Sequence, residues 1–211
     1  MELQGKIINI LGDSITYGEG TSDKQYAYPA VLQQLTGAAI VRNYGINGTR
    51  IARQQGEDDS RRAFTARYMN MDDDADLVVV FGGTNDYGHG NAPFGTYDDR
   101  TADTFCGACH VLFCGLLEKY PTARIVVMTP MQCHHGATKP AISGKILSDY
   151  ADAICCIAGR YSIPVLDLYR NLGICPDIDA QRERLCPDGL HPNDMGAARI
   201  ASMLANFLKT I

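Results

Sequence analysis

Five short apolar runs rich in β-branched residues, at 6–11, 39–43, 77–81, 124–129 and 163–167, constrain the fold more than any other feature of the sequence. Each has the length of a strand. Longer segments with helical spacing of apolar residues lie between them, at 28–35, 101–119 and 146–161, and a last one follows at 194–208. Strands apolar at nearly every position are buried on both faces, and intervening helices supply the cover. The alternation predicts an α/β fold, a parallel sheet with helices on both sides. At 211 residues, with no Pro-rich, Ser-rich or single-charge block to divide it, the chain is expected to form one domain over 1–211.

In such sheets ligands bind beyond the carboxyl ends of the strands. The segments there read "GDSITYG", "YGINGTR", "GGTNDYGHGNAPFG" and "PMQCHHGATKP", after the first four strands in turn. By composition Ser14 is a turn residue, since Gly, Asp and Ser commonly close a strand. It does not lie in a G-x-S-x-G elbow, because Thr16 stands where the second glycine would. The spacing of Gly12, Gly18 and Gly20 fits no dinucleotide- or phosphate-binding loop either. Whether Ser14 is a turn residue or a nucleophile depends on a base, an orienting carboxylate and oxyanion donors elsewhere in the chain.

Near the end, "CPDGLHPNDMG" places Asp188 three residues before His191. A carboxylate so placed can hold one ring N–H and leave the other nitrogen facing a nucleophile. It can equally cap backbone N–H groups at a helix entry, and spacing alone leaves both readings open. Asn85, just past the third strand, can donate an amide N–H to a developing oxyanion or form an Asx turn. Gly48 would let its backbone N–H approach a ligand, with Gly45 as the local competitor.

Together "GDS", Gly48, the G-x-N-D at 83–86 and the D-x-x-H at 188–191 resemble the four blocks of the SGNH, or GDSL-type, hydrolases, in order over nearly the whole chain. The resemblance implies a flavodoxin-like three-layer sandwich whose five-stranded parallel sheet has the order 2-1-3-4-5. It implies Ser14 as nucleophile, His191 as base and acid, and Asp188 as its orienting partner. The oxyanion hole would be the backbone N–H groups of Ser14 and Gly48 with the Asn85 side chain, while Asp13 and Asp86 are read as loop supports. The implied activity is a serine esterase working through an acyl-enzyme, with no cofactor and no metal. Short acyl esters are favoured, O-acetyl groups on a carbohydrate or similar polar alcohol, because the rim segments are rich in Asn, His, Tyr and Gly and carry no long apolar lid. Tyr17, Tyr44, Tyr87, His89, His134 and His135 are the candidate substrate contacts. The alternatives are a lysophospholipase or thioesterase of the same fold, and a non-catalytic carbohydrate-binding protein. The last would be marked by loss of a triad or oxyanion residue, and none is missing.

The remaining signals narrow the partners. A net charge of -5 gives no general basic face for nucleic acid or an anionic membrane, so a small-molecule ester is the expected partner. Residues 1–10 lack the pattern of a signal peptide and 7–11 are too few to span a bilayer, so a cytoplasmic location is expected. The eight cysteines are expected as thiols. "CGACH" at 106–110, with Cys114 beyond, has ligand-like spacing but sits in an apolar helical pattern without a second Cys-x-x-Cys, so buried cysteines are expected. His134 and His135 lack H-E-x-x-H spacing, which sets aside a metal-dependent hydrolase. His110 is expected to be structural, and "MDDDAD" at 71–76 a solvated turn.

Overall fold

Ile7–Gly12 (β1), Ile40–Gly45 (β2), Leu77–Phe81 (β3), Arg124–Met128 (β4) and Val165–Leu166 (β5) pair in parallel in the order β2-β1-β3-β4-β5. The computed structural model describes residues 2–56, 62–136 and 143–211. In chain order the helices are Ser14–Tyr17 (α1), Tyr28–Thr36 (α2), Phe64–Arg67 (α3), Thr84–His89 (α4) and Phe105–Lys119 (α5). They continue with Leu147–Arg160 (α6), Leu168–Asn171 (α7), Asp179–Leu185 (α8) and Asp194–Thr210 (α9).

The two-residue period of the strands divides the core into two layers. Leu11, Val78, Val80, Ile125 and Val127 face one side, against Leu112, Phe113 and Leu116 of α5 and Tyr150, Ile154 and Ile157 of α6. Ile8, Ile10, Leu77, Val79, Phe81 and Val126 face the other, against Leu32 of α2 and Ile200, Leu204 and Leu208 of α9. The fold is therefore the flavodoxin-like sandwich that the motifs imply. Cys106 and Cys109 are buried in α5 as small apolar groups, and all eight cysteines are free thiols. Among the described residues no helix is long and apolar enough to cross a membrane.

Three departures from the sequence expectations have local causes. The fifth strand is only two residues long, because Ile163 gives its N–H to Ala158 at the end of α6 and Pro164 has none to give. The segments read as loops after the first and third strands hold the short helices α1 and α4. The acidic run is more than a solvated turn: Arg42 pairs with Asp72 at 2.9 Å and Asp74 at 2.6 Å, Lys119 pairs with Asp73, and Lys6 pairs with Asp76 at 3.1 Å. These bonds tie the chain entering β3 to β1, β2 and α5.

At the opposite end of the sheet a single buried cation does similar work. Arg67, closing α3 and 7% exposed, donates to the carbonyls of Gly12 (3.2 Å) and Tyr44 and to Thr49 Oγ1 (2.9 Å). Burial lowers its pKa to about 10 and the Asp13 carboxylate opposes that, so it stays charged at neutral pH. Removing it would strip a charge-assisted donor from both strand-end carbonyls, leaving the Gly12 carbonyl to the Ile46 N–H at 3.2 Å and the Thr49 hydroxyl at 3.4 Å. Arg67→Ala is therefore expected to lose about 3 kcal/mol or more of stability, read as a lowered urea midpoint, whereas a shift within about 0.5 kcal/mol would show that water replaces the guanidinium.

Candidate active site

Strand register brings the site together. Gly12 of β1 pairs with Gly45 of β2 on one side and Phe81 of β3 on the other, so three neighbouring strands end at one level. Ser14 emerges two residues past Gly12, Gly48 three past Gly45 and Asn85 four past Phe81. α1 turns back across the ends of β1 and β2 at such close range that a Cβ on Gly12 would lie 1.9 Å from Thr16 Oγ1, and one on Gly45 would lie 2.2 Å from the Tyr17 nitrogen. Only glycine fits at those two strand ends. Asp13 caps α1 by accepting the Ile15 N–H at 3.0 Å.

Ser14 Oγ lies 2.9 Å from His191 Nε2, and His191 Nδ1 lies 2.6 Å from Asp188 Oδ2. The other Asp188 oxygen accepts the backbone N–H groups of Leu190 (2.8 Å) and His191 (2.6 Å). One Asp188 oxygen thus serves the turn and the other meets the imidazole. Partial burial would raise the Asp188 pKa, but these three hydrogen bonds outweigh it and hold the carboxyl below its ordinary value. The cap of α9 falls instead to Asn193, which accepts from Met195 and Gly196.

The backbone N–H groups of Ser14 and Gly48 have no partner among the described residues, whereas that of Gly45 is taken by Asn43 Oδ1 at 2.8 Å. This separates Gly48 from its competitor. Asn85 Nδ2 donates one of its two protons to the Thr49 carbonyl at 3.0 Å, which fixes the amide beside the Gly48 turn and leaves the second proton to point elsewhere. Asp86 accepts from Ile51 and Ala52, each at 2.9 Å, and so supports the β2 loop.

Ser14, His191, Gly48 and Asn85 share a cavity of about 280 Å³ with His89 and Leu190. A second cavity of about 360 Å³ adjoins it through Asn85, His89 and Leu190 and is walled by Tyr87, Cys133, His134 and Gly189. Tyr17 and Tyr44 line neither: Tyr17 lies under Lys24, and the Tyr44 hydroxyl reaches Asp72 at 3.1 Å. His135 meets the second cavity only indirectly, its carbonyl accepting from Tyr87 at 3.2 Å. A larger cavity of about 580 Å³, at Lys6, Arg124 and Ser162, lies at the amino ends of the strands and holds no nucleophile beside a base. His110 is buried, with Tyr161 Oη at 2.8 Å and the Tyr97 carbonyl at 3.0 Å, as a structural histidine should be.

Two features escaped the sequence reading. Arg67 had no motif to mark it. His89 meets Arg50 Nη2 through Nδ1 at 2.8 Å, and since a guanidinium only donates, Nδ1 accepts and the ring proton sits on Nε2.

Known proteins share both the sequence pattern and the fold. The model of the GDSL-like lipase/acylhydrolase family matches residues 10–199. The chain belongs to that family. An acetylxylan esterase from Xylanibacter ruminicola is 27% identical over 221 residues, covering 94% of this chain and 42% of the relative, so the chain spans less than half the length of that curated protein. A solved structure of a protein from Lactobacillus plantarum is 33% identical, with a TM-score of 0.85 and 98% of each chain covered. A carbohydrate acetylesterase family member from Sinorhizobium meliloti, 17% identical, shares the fold with a TM-score of 0.67 over 97% of this chain and 98% of its own.

Burial raises the Asp13 pKa to about 7 and the Asp86 pKa to about 6, both from 3.8, against the hydrogen bonds each accepts. A carboxyl whose folded pKa is raised stabilises the fold most below its unfolded pKa, and that contribution is lost as pH climbs through the folded value. On their account urea resistance is expected to fall between about pH 4 and about pH 7. Asp13→Asn, which keeps an acceptor for Ile15 and cannot ionise, should flatten that fall. An unchanged fall in the variant would mean that Asp13 is already ionised at the lower pH.

Proposed function

We propose that the protein is a serine esterase that removes short acyl groups, acetyl foremost, from a carbohydrate or similarly polar alcohol through an acyl-enzyme on Ser14. The observation that carries this reading is the continuous line from Ser14 Oγ to His191 Nε2 at 2.9 Å and from His191 Nδ1 to Asp188 Oδ2 at 2.6 Å. The acetylxylan esterase similarity supports the choice of acyl group and alcohol.

In this mechanism Ser14 Oγ attacks the ester carbonyl while its proton passes to His191 Nε2. Asp188 Oδ2 holds the Nδ1 proton and stabilises the imidazolium. The oxyanion receives the N–H groups of Ser14 and Gly48 and the second amide proton of Asn85. Collapse expels the alcohol, which takes the proton back from His191. Water, deprotonated by the same nitrogen, then attacks the acyl-enzyme and releases the acid. His89, which lines both cavities where they adjoin, is read as a contact for the substrate.

Steady-state hydrolysis of aryl acetate, butyrate and long-chain esters, beside acetylated sugars, tests the reading. Ser14→Ala should abolish turnover in a folded protein, and Asp188→Asn should lower kcat by roughly ten-thousand-fold through the wrong tautomer. A loss under about tenfold in Asp188→Asn would leave Asp188 only its turn contacts. Asn85→Ala should lower kcat by roughly 100- to 1000-fold with little change in KM, because charge on the oxygen develops only in the transition state. Near-normal kcat with a lowered melting temperature would make Asn85 a turn residue alone. Acetyl and butyryl esters should have the higher kcat/KM; a preference for long chains would favour a lysophospholipase.

A further inference from the structure

Beyond the proposed triad, the loop after β4 and the segment after α7 bring together three side chains that the hydrolytic mechanism does not use. Asp177 Oδ1 accepts the His135 backbone N–H and faces His134 Nδ1, each at 2.9 Å. The two imidazoles lie against each other in a tilted contact, centroids 3.7 Å apart with 36° between the planes. One ligand atom from each of His134, His135 and Asp177 can be chosen so that all lie within 4.8 Å of one another.

The arrangement is imposed by the backbone. His134 donates its N–H to the Gly189 carbonyl at 2.7 Å, and a Cβ on Gly189, whose φ is +80°, would lie 2.6 Å from His134 Cβ. His135 has a φ of 59°, a left-handed conformation that costs a non-glycine residue about 1 kcal/mol and turns its ring onto that of His134. A simple loop tie by Asp177 accounts for the His135 N–H and for His134 Nδ1. It does not account for His134 Nε2 or for either ring nitrogen of His135, which have no hydrogen-bond partner among the described residues.

We infer that His134, His135 and Asp177 form a binding site for a divalent transition ion, zinc being the best match, that ties the β4 loop to the segment after α7. Two imidazoles and one carboxylate suit Zn²⁺, Ni²⁺ or Cu²⁺, with water completing the coordination. Ca²⁺ and Mg²⁺ require more oxygen ligands than are present. The ion would act by position, since none of its ligands touches Ser14. It would sit on the wall that His134 shares with the second cavity, and Gly189, against which His134 rests, directly follows Asp188. The inference is independent of the proposed ester chemistry because its readout is metal binding.

Tag-free chain, stripped with a chelator and dialysed, is titrated with zinc, nickel and magnesium chlorides by calorimetry, with melting curves on the same samples. One zinc ion per chain is expected to bind saturably and raise the melting temperature, with nickel binding as well and magnesium giving no saturable heat. His135→Gln and Asp177→Asn should each weaken zinc by roughly tenfold or more, since even an outer-shell partner is worth that much. Ser14→Ala should bind zinc as the parent does. Should Asp177→Asn fail to fold, His135→Gln decides, because its ring makes no hydrogen bond with the described residues that the fold could lose. Absence of saturable zinc binding, parent-like affinity in His135→Gln, or equal binding of magnesium would overturn the inference.

Discussion

A parallel strand buried on both faces must still satisfy its backbone where it leaves the sheet, and here the guanidinium of Arg67 meets that requirement together with the Ile46 N–H, which reaches the Gly12 carbonyl at 3.2 Å. The guanidinium reaches the last carbonyl of β1, a carbonyl at the end of β2 and the Thr49 hydroxyl beyond Gly48. Three pieces of backbone are thereby locked at one level. Two of them, the segment carrying Ser14 and the turn carrying Gly48, lead directly into the cavity shared with His191. Asp86 repeats the device from the β3 side, holding the amides of Ile51 and Ala52. The groups nearest the chemistry are thus fixed by side chains buried beneath them, as preorganised donors require.

The same economy governs the exposed rim. Asp188 divides its oxygens between two backbone amides and one imidazole nitrogen, so the turn that places His191 is built by the residue that orients its ring. Asn85 commits one amide proton to the Thr49 carbonyl and lines the cavity. A side chain with one contact committed to the scaffold loses little freedom when the other meets a substrate.

Much of this could be read from the residues. Burial of β1, β3 and β4 on both faces left a clear apolar signature, and α2, α5, α6 and α9 begin and end close to where their periodicity does. The four blocks were visible because Ser14, Gly48, Asn85 and the Asp188–His191 pair each stand beside a strand end or helix start with its own composition. What lay hidden is physically of another kind. α1 and α4, four and six residues long, are too short for an apolar period, and the Gly and Asp flanking α1 and the Asn, Asp and Gly within α4 read as turn. Arg67 acts across 55 residues of sequence on Gly12, and Arg50 across 39 on His89, so neither leaves a local pattern. Tyr44 looked like a rim residue by its place after β2's core, yet its hydroxyl turns toward Asp72. The side on which an aromatic ring leaves a strand end is settled by packing, which spacing does not encode.

The central claim is that the line from Asp188 through His191 makes the Ser14 hydroxyl a nucleophile. An activated-serine phosphorylating agent, diethyl 4-nitrophenyl phosphate, tests this without reference to the natural ester, because it transfers its phosphoryl group to an activated hydroxyl and is not turned over readily. The protein is incubated with the reagent, its intact mass is recorded, and the modified peptide is located by tandem mass spectrometry. The account predicts one diethylphosphoryl group per chain, on Ser14, and none on a folded His191→Ala variant. An unlabelled parent protein, a label on another residue, or equal labelling of Ser14 in His191→Ala would contradict it.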